Sequence, residues 1–251
     1  MKDSVARFSN RVENYARYRP GYPPEMLAFF RSELKLNADS AIADVGSGTG
    51  ISSSMFLENG NRVYGIEPND AMRAAAEDYL RNFASFISVD GTAEQTTLAN
   101  DSADFVIAAQ AFHWFDPERT RTEFRRILKP EGYITLIWNE RQLDTTDFLR
   151  DYEKLLLKWS NDYERVRHEN IDEERLSQFF QADFRGANFA NSQTFDFEGL
   201  AGRVQSASYM PAAGDKKFQP MLAELRDVFD KHSEQAKIKI LYDTRVFFTQ
   251  V

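Results

Sequence analysis

The sequence predicts an α/β fold: a doubly wound, mostly parallel sheet of seven strands whose last strand runs antiparallel. Three observations carry that expectation. Short apolar runs alternate with amphipathic helical stretches from residue 41 to residue 138, the pattern of right-handed βαβ crossovers. One run, Ala103 to Ala109, is almost wholly apolar, as suits a parallel strand covered on both faces. The stretch Ile238 to Phe248 instead alternates with period two, as an antiparallel strand inserted at the end of the chain would.

Taken in order, residues 1 to 23 interleave Phe8, Val12, Tyr15, Tyr18 and Tyr22 with Arg7, Arg11, Arg17 and Arg19. This stretch starts helical and breaks at Pro20-Gly21. Its aromatic face could pack on the sheet or cover a pocket as a lid. Pro24 to Leu34 has the single apolar stripe of a half-buried helix, at Met26, Leu27, Phe30 and Leu34. Ala41 to Val45 is the first strand and Ile51 to Glu58 the first crossover helix. Asn61 to Ile66 is the second strand. The next helix opens at Pro68-Asn69 with Asn69 as cap, and its inner face is expected to hold Met72, Ala75, Ala76, Tyr79 and Phe83. Ser85 to Val89 and Ala103 to Ala109 are the third and fourth strands. Asp116-Pro117 starts a helix with Thr120, Phe124, Ile127 and Leu128 inward. Lys129-Pro130-Glu131-Gly132 turns into the fifth strand, Tyr133 to Trp138.

The pattern then changes. Asp147 to Arg165 carries one stripe, Phe148, Tyr152, Leu155, Trp159 and Tyr163, and Glu173 to Phe180 continues as helix. Thr194 to Phe197 is expected as the sixth strand, followed by a helix around Leu200 to Ser206, a turn at Pro211 and a helix from Met221 to His232. One domain spans 1–251 in this reading: lid and helices over 1–37, core over 38–140, helical insertion over 141–184, and sheet completion over 185–251.

At 251 residues, with 42% hydrophobic and 28% charged residues, the chain has the composition of a globular protein with a sizeable core. It has no cysteine, which removes disulfides and thiolate metal sites. Neither a signal peptide nor a membrane span is apparent, so a cytoplasmic location is expected. The formal charge of −8 argues against a nucleic-acid partner. Arg119, Arg121, Arg125 and Arg126 do not reverse this, because Glu118 and Glu123 interrupt them on a solvated helix face. His113, His168 and His232 lack ligand spacing, so no metal is expected.

The most informative stretch is Ala41-Ile42-Ala43-Asp44-Val45-Gly46-Ser47-Gly48-Thr49-Gly50. A strand ends in a tight turn of three glycines and runs into a helix N-terminus, where open α/β sheets bind ligands. A dinucleotide site wants Gly-x-Gly-x-x-Gly, but here the third glycine comes one place early, at Gly50. Asp44 to Gly50 resembles the first motif of the class I S-adenosylmethionine-dependent methyltransferases. Asn61 to Glu67, Val89 to Glu94 and Ala109 to Phe115 follow at intervals similar to that family's. The plan resembles its small-molecule branch, the trans-aconitate and ubiquinone-type methyltransferases.

That resemblance implies S-adenosylmethionine as cofactor, S-adenosylhomocysteine as product, and a small-molecule acceptor such as a carboxylate, phenol or enolate. It implies donor contacts from Asp44, Gly46, Ser47, Gly48 and Gly50, from Glu67 and Pro68 on the ribose side, and from Asp90, Gly91, Thr92 and Ala93 at the adenine. Gln110 and the lid residues Tyr15, Tyr18 and Arg19 would stand at the methionine end. Phe112, His113, Trp114, Trp138, Arg141, Arg203 and Tyr209 would face the acceptor, with His113 as the one candidate base. Aromatic faces suit a sulfonium whose charge disperses during transfer. Gln110-Ala111-Phe112-His113 is not the Asn-Pro-Pro-Tyr-type element of amide-nitrogen methylation. A donor-binding sensor, a nicotinamide-dependent oxidoreductase, and a monomer or homodimer all stay open at this stage.

Overall fold

The computed structural model describes residues 17–161, 173–207 and 209–251. Its centre is a seven-stranded sheet: β1 (Ala41–Val45), β2 (Arg62–Ile66), β3 (Phe86–Val89), β4 (Ala103–Ala109), β5 (Leu128–Arg141), β6 (Arg185–Phe195) and β7 (Ile238–Gln250). The order is β3-β2-β1-β4-β5-β7-β6. The first five strands pair in parallel, while β7 lies between β5 and β6, antiparallel to both. The expected antiparallel last strand is therefore present.

Eight α-helices are described: α1 (Pro24–Glu33), α2 (Ile51–Glu58), α3 (Asp70–Tyr79), α4 (Pro117–Ile127), α5 (Asp147–Trp159), α6 (Glu173–Phe180), α7 (Phe197–Gln205) and α8 (Phe218–His232). Their starts follow ordinary capping chemistry. Asn69 accepts from the Ala71 and Met72 N–H groups, and Asp116 from those of Glu118 and Arg119. Alternate residues of the central strands feed two cores. Ile42, Phe105, Ile107 and Ile137 join Met26 and Phe30 of α1 and Phe56 of α2 on one side. Ala43, Val106, Ala108 and Leu136 join Phe124 of α4 and Phe179 of α6 on the other. A third core packs α5, α7 and α8 around Phe195, Ile238, Ile240 and Tyr242 of β6 and β7. No described helix is long and apolar enough to cross a membrane.

Several expectations need correction. The sixth strand is Arg185–Phe195, not Thr194 to Phe197; Asp196 accepts from the Gly199 N–H at 2.8 Å and caps α7, so Phe197 is helical. Helix α5 ends at Trp159 because Ser160 is extended; Tyr163 and Arg165 lie outside the described residues. Tyr79 is 53% exposed, and Leu80 takes its place in the core. Strand β5 begins at Leu128, earlier than Tyr133, with a register irregularity against β4. Asp104, the acid within β4, accepts from the Ala41 N–H and pairs with Lys129 at 2.8 Å, tying together the starts of β1, β4 and β5.

Candidate active site

The turn after β1 is shaped by contacts that only glycine allows. Gly46 has φ +71°, its N–H donates to the Ile66 carbonyl at 2.8 Å, and a Cβ there would stand 2.6 Å from the Ala111 Cβ. At Gly48, φ +56°, a Cβ would meet nothing within 4 Å, so this backbone faces open space. Gly50 closes the turn as the residue before α2, lodged against Leu80. Ile51 and Ser52, at the start of α2 where the first N–H groups have no partner within the helix, line the same opening.

Asp44 lies behind the turn. It is fully buried and accepts from Ser52 Oγ at 2.7 Å and Ser53 Oγ at 2.6 Å. Its other oxygen, Oδ1, has no partner among the described residues. Burial pushes its pKa up to about 6 against the opposing pull of the two hydroxyls. Glu67, at the end of β2, accepts from the Gly48 N–H at 3.1 Å and the Asn69 N–H at 2.9 Å. Burial raises its pKa too, and those two N–H groups oppose the shift.

A cavity of about 700 Å³ opens at the carboxyl ends of the strands. One half is bounded by Gly46, Ser47, Gly48, Glu67 and Pro68, with Gln110, His113 and Trp114 on the β4 side. Gln110 holds a strained φ of +58° and is pinned to β5 through Ile137 and Asn139. A short turn over Phe112–Trp114 then sorts the aromatic motif. His113 and Trp114 reach the cavity, their rings 4.8 Å apart. Phe112 points the other way, 4.5 Å from the Phe179 ring, and Trp138 is buried beside it.

The other half is walled by the end of β5, α5 and α7. Arg141 forms a close ion pair with Glu153 and lies over the Tyr152 ring at 5.1 Å. Arg203, only 8% exposed, meets Tyr242 Oη at 3.4 Å and Ser206 Oγ at 3.5 Å, both long contacts. Burial works against its charge, and the tyrosines around it, Tyr242, Tyr152 and Tyr209, act in the opposite direction. Tyr209 lines the same wall.

A strap over residues 18–21 crosses this half. Gln193 donates to the Tyr18 carbonyl, Asn139 and Asn191 donate to that of Gly21, and Arg19 donates to that of Ser206. Arg19, Pro20 and Tyr22 face the cavity. Tyr18 packs on α7 instead, where a Cβ on Gly202 would stand 2.2 Å from its ring. Tyr15 lies outside the described residues.

The structure thus brings twelve sequence-selected residues to one cavity: Arg19, Gly46, Ser47, Gly48, Glu67, Pro68, Gln110, His113, Trp114, Arg141, Arg203 and Tyr209. It does not bring Asp44, Gly50, Phe112, Trp138 or Tyr18 to the wall, nor Asp90, Gly91, Thr92 and Ala93, which follow β3. Asn139 and Tyr242 line it and were not selected. Asn139 had a signal, a polar side chain closing the apolar run Tyr133 to Trp138 at a strand's carboxyl end. Among the described residues no cluster of His, Cys, Asp or Glu could hold a metal.

Known proteins resemble the chain in sequence and in fold. A family model described as a methyltransferase domain matches residues 43–136, from the glycine turn to the middle of β5. That stretch is similar to the methyltransferase domain of this family. An uncharacterized methyltransferase of Mycobacterium tuberculosis is 35% identical over 144 residues, covering 56% of this chain and 55% of the relative. The chain thus spans about half the length of the mycobacterial relatives it matches. A methyltransferase-like protein of Schizosaccharomyces pombe is 27% identical over 250 residues, covering 97% and 94% of the two chains. Among solved structures, a candidate type II methyltransferase of Anaeromyxobacter dehalogenans shares the fold at a TM-score of 0.69 and 20% identity, covering 93% of this chain and 98% of that one. A phosphoethanolamine N-methyltransferase of Haemonchus contortus, solved with phosphomonomethylethanolamine and S-adenosylhomocysteine, shares it at 0.57 and 13%, covering 97% and 57%.

Proposed function

We propose that the protein is an enzyme that transfers a methyl group from S-adenosylmethionine to a small molecule. The observation that carries this reading is one cavity with two unlike halves. A glycine turn and an acid at the end of β2 bound one half, and aromatic and cationic side chains enclose the other. The residues of the first half fit the donor. The open space in front of Gly48 leaves room for a ligand against the main chain, the first N–H groups of α2 are free to receive a carboxylate, and Glu67 can accept from ribose hydroxyls. Pro68 and Met72 supply an apolar edge for the adenine side.

When bound, the donor supplies a methyl group on a sulfonium, displaced in line by the acceptor's nucleophile. The chain's task is then positioning and exclusion of water, and positioning alone can supply about 7–11 kcal/mol. Trp114 and Phe115 supply aromatic side chains to the cavity wall. The strap, held by Gln193, Asn139 and Asn191, crosses the second half. His113 is the group on the wall placed to take a proton from a neutral hydroxyl, while an ionised acceptor needs no base.

Calorimetry with S-adenosylhomocysteine and NADH tests the donor. Binding of the first and none of the second is expected, and tight NADH binding alone would sink the proposal. A screen of small acids, phenols and thiols for S-adenosylhomocysteine production tests the transfer itself. Tight donor binding with no turnover across the screen would favour a sensor instead.

A further inference from the structure

The cations around the cavity differ in one respect. Arg141 pairs with Glu153, Arg150 with Asp147 and Lys154 with Asp151. Arg203 is more than nine-tenths buried, yet no carboxylate lies within ion-pair distance of it among the described residues. Its two contacts are hydroxyls already committed as donors: Tyr242 Oη donates to Gln193 and Ser206 Oγ to the Arg203 carbonyl. Nη2 has no hydrogen-bond partner among the described residues. A buried guanidinium left this way is costly unless something charged completes it.

A second cation converges on the same place. Arg19 reaches the Ser206 carbonyl at 3.2 Å, while Arg203 reaches the hydroxyl of that same residue at 3.5 Å. Both guanidinium groups thus reach one residue, and an anion bound there would be attracted by both. Both line the cavity.

We infer that Arg203, with Arg19 beside it, binds a carboxylate of the methyl acceptor, so that the acceptor is a small organic acid. This rests on the donor reading above. Position decides which anion is meant. Arg203 contacts Tyr242 on β7, which is three strands from β1 and its glycine turn, roughly 14 Å at about 4.8 Å per strand. The donor's own carboxylate belongs near the turn and the start of α2. A planar fork fits a carboxylate in two-point fashion, and the surrounding tyrosines leave apolar surface for the rest of an acid.

The test compares acids with their uncharged amides: benzoate with benzamide, phenylacetate with phenylacetamide, hexanoate with hexanamide, glutarate with glutaramide. Calorimetry is run on the full chain saturated with S-adenosylhomocysteine. At least one acid should bind tenfold or more tighter than its amide. Arg203→Met should abolish that preference while leaving S-adenosylhomocysteine affinity within about twofold, and it should melt no lower than wild type. If no acid outbinds its amide, the inference is overturned although the donor site stands. If Arg203→Met instead weakens S-adenosylhomocysteine tenfold, the anion is the donor's, and the inference is again overturned. Should Arg203→Met fail to fold, Arg203→Lys, which keeps the charge and loses the fork, should retain a weakened preference. An undiminished preference in that variant would place the anion elsewhere. Absence of S-adenosylhomocysteine binding to wild type would end the donor reading itself, a separate result.

Discussion

Two main-chain N–H groups converge on the Glu67 carboxylate, from Gly48 and Asn69, so this side chain braces the turn before any ligand arrives. Glu67 also lines the cavity. Glu67→Ala removes both the brace and the acceptor for ribose hydroxyls, and the S-adenosylhomocysteine dissociation constant should rise about 5- to 150-fold, or 1–3 kcal/mol. An unchanged constant would place the ribose elsewhere. Asp44 makes a different prediction. Its folded pKa is raised to about 6 from an unfolded value near 3.8, so between those values the folded chain holds a proton that the unfolded chain releases. Stability from this group is therefore present below pH 4 and lost as pH rises to 6, by up to about 3 kcal/mol. Denaturant midpoints across pH 4 to 7 should fall in wild type relative to Asp44→Asn; parallel curves would refute the buried charge. At this scale the sequence was legible wherever the backbone itself is unusual. A glycine turn ending in a helix announces its geometry. The direction of a side chain does not announce itself, and Phe112 and His113, neighbours in one motif, point to core and cavity.

Elements whose burial has a period could be read from the sequence, and those without one could not. The central strands β1 and β4 are buried almost throughout, and their runs of apolar residues mark them. Strand β6 is an edge, with Arg185, Gly186 and Asn188 among its exposed positions, so no apolar alternation revealed its first nine residues. Its role is polar: Asn191 and Gln193 stand on it and hold the strap. That docking predicts an inverted effect at Gly202. In a helix interior, alanine normally gains up to about 1 kcal/mol over glycine. Here a Cβ would strike the Tyr18 ring at 2.2 Å. Gly202→Ala should therefore displace the strap, quickening tryptic cleavage after Arg17 and weakening acceptor binding. Unchanged cleavage would show that Tyr18 makes no such contact in solution.

For the molecule as a whole, the donor half draws on β1, β2, β4 and the first turn of α2, whose residues also lie in the two central cores. The second half draws on α5, α7 and β7, which belong to the third core. A ligand in the first half therefore ties together strands far apart in sequence, and it has no equivalent site in the unfolded chain. Binding to the folded state alone must raise stability by mass action. At a hundredfold excess over the dissociation constant the gain is about 2.7 kcal/mol, which for a chain of this size is a rise in melting temperature of roughly 5–11 °C. S-adenosylhomocysteine should produce that rise, with a midpoint that climbs with the logarithm of its concentration. NADH, whose pyrophosphate would need the third glycine one place later, should leave the midpoint where it was. Glu67→Ala should show the same slope displaced to higher ligand concentration, because the site is weakened. A rise produced equally by NADH would mean that the turn recognises an adenosine and nothing beyond it, and the methyl-donor assignment would fall.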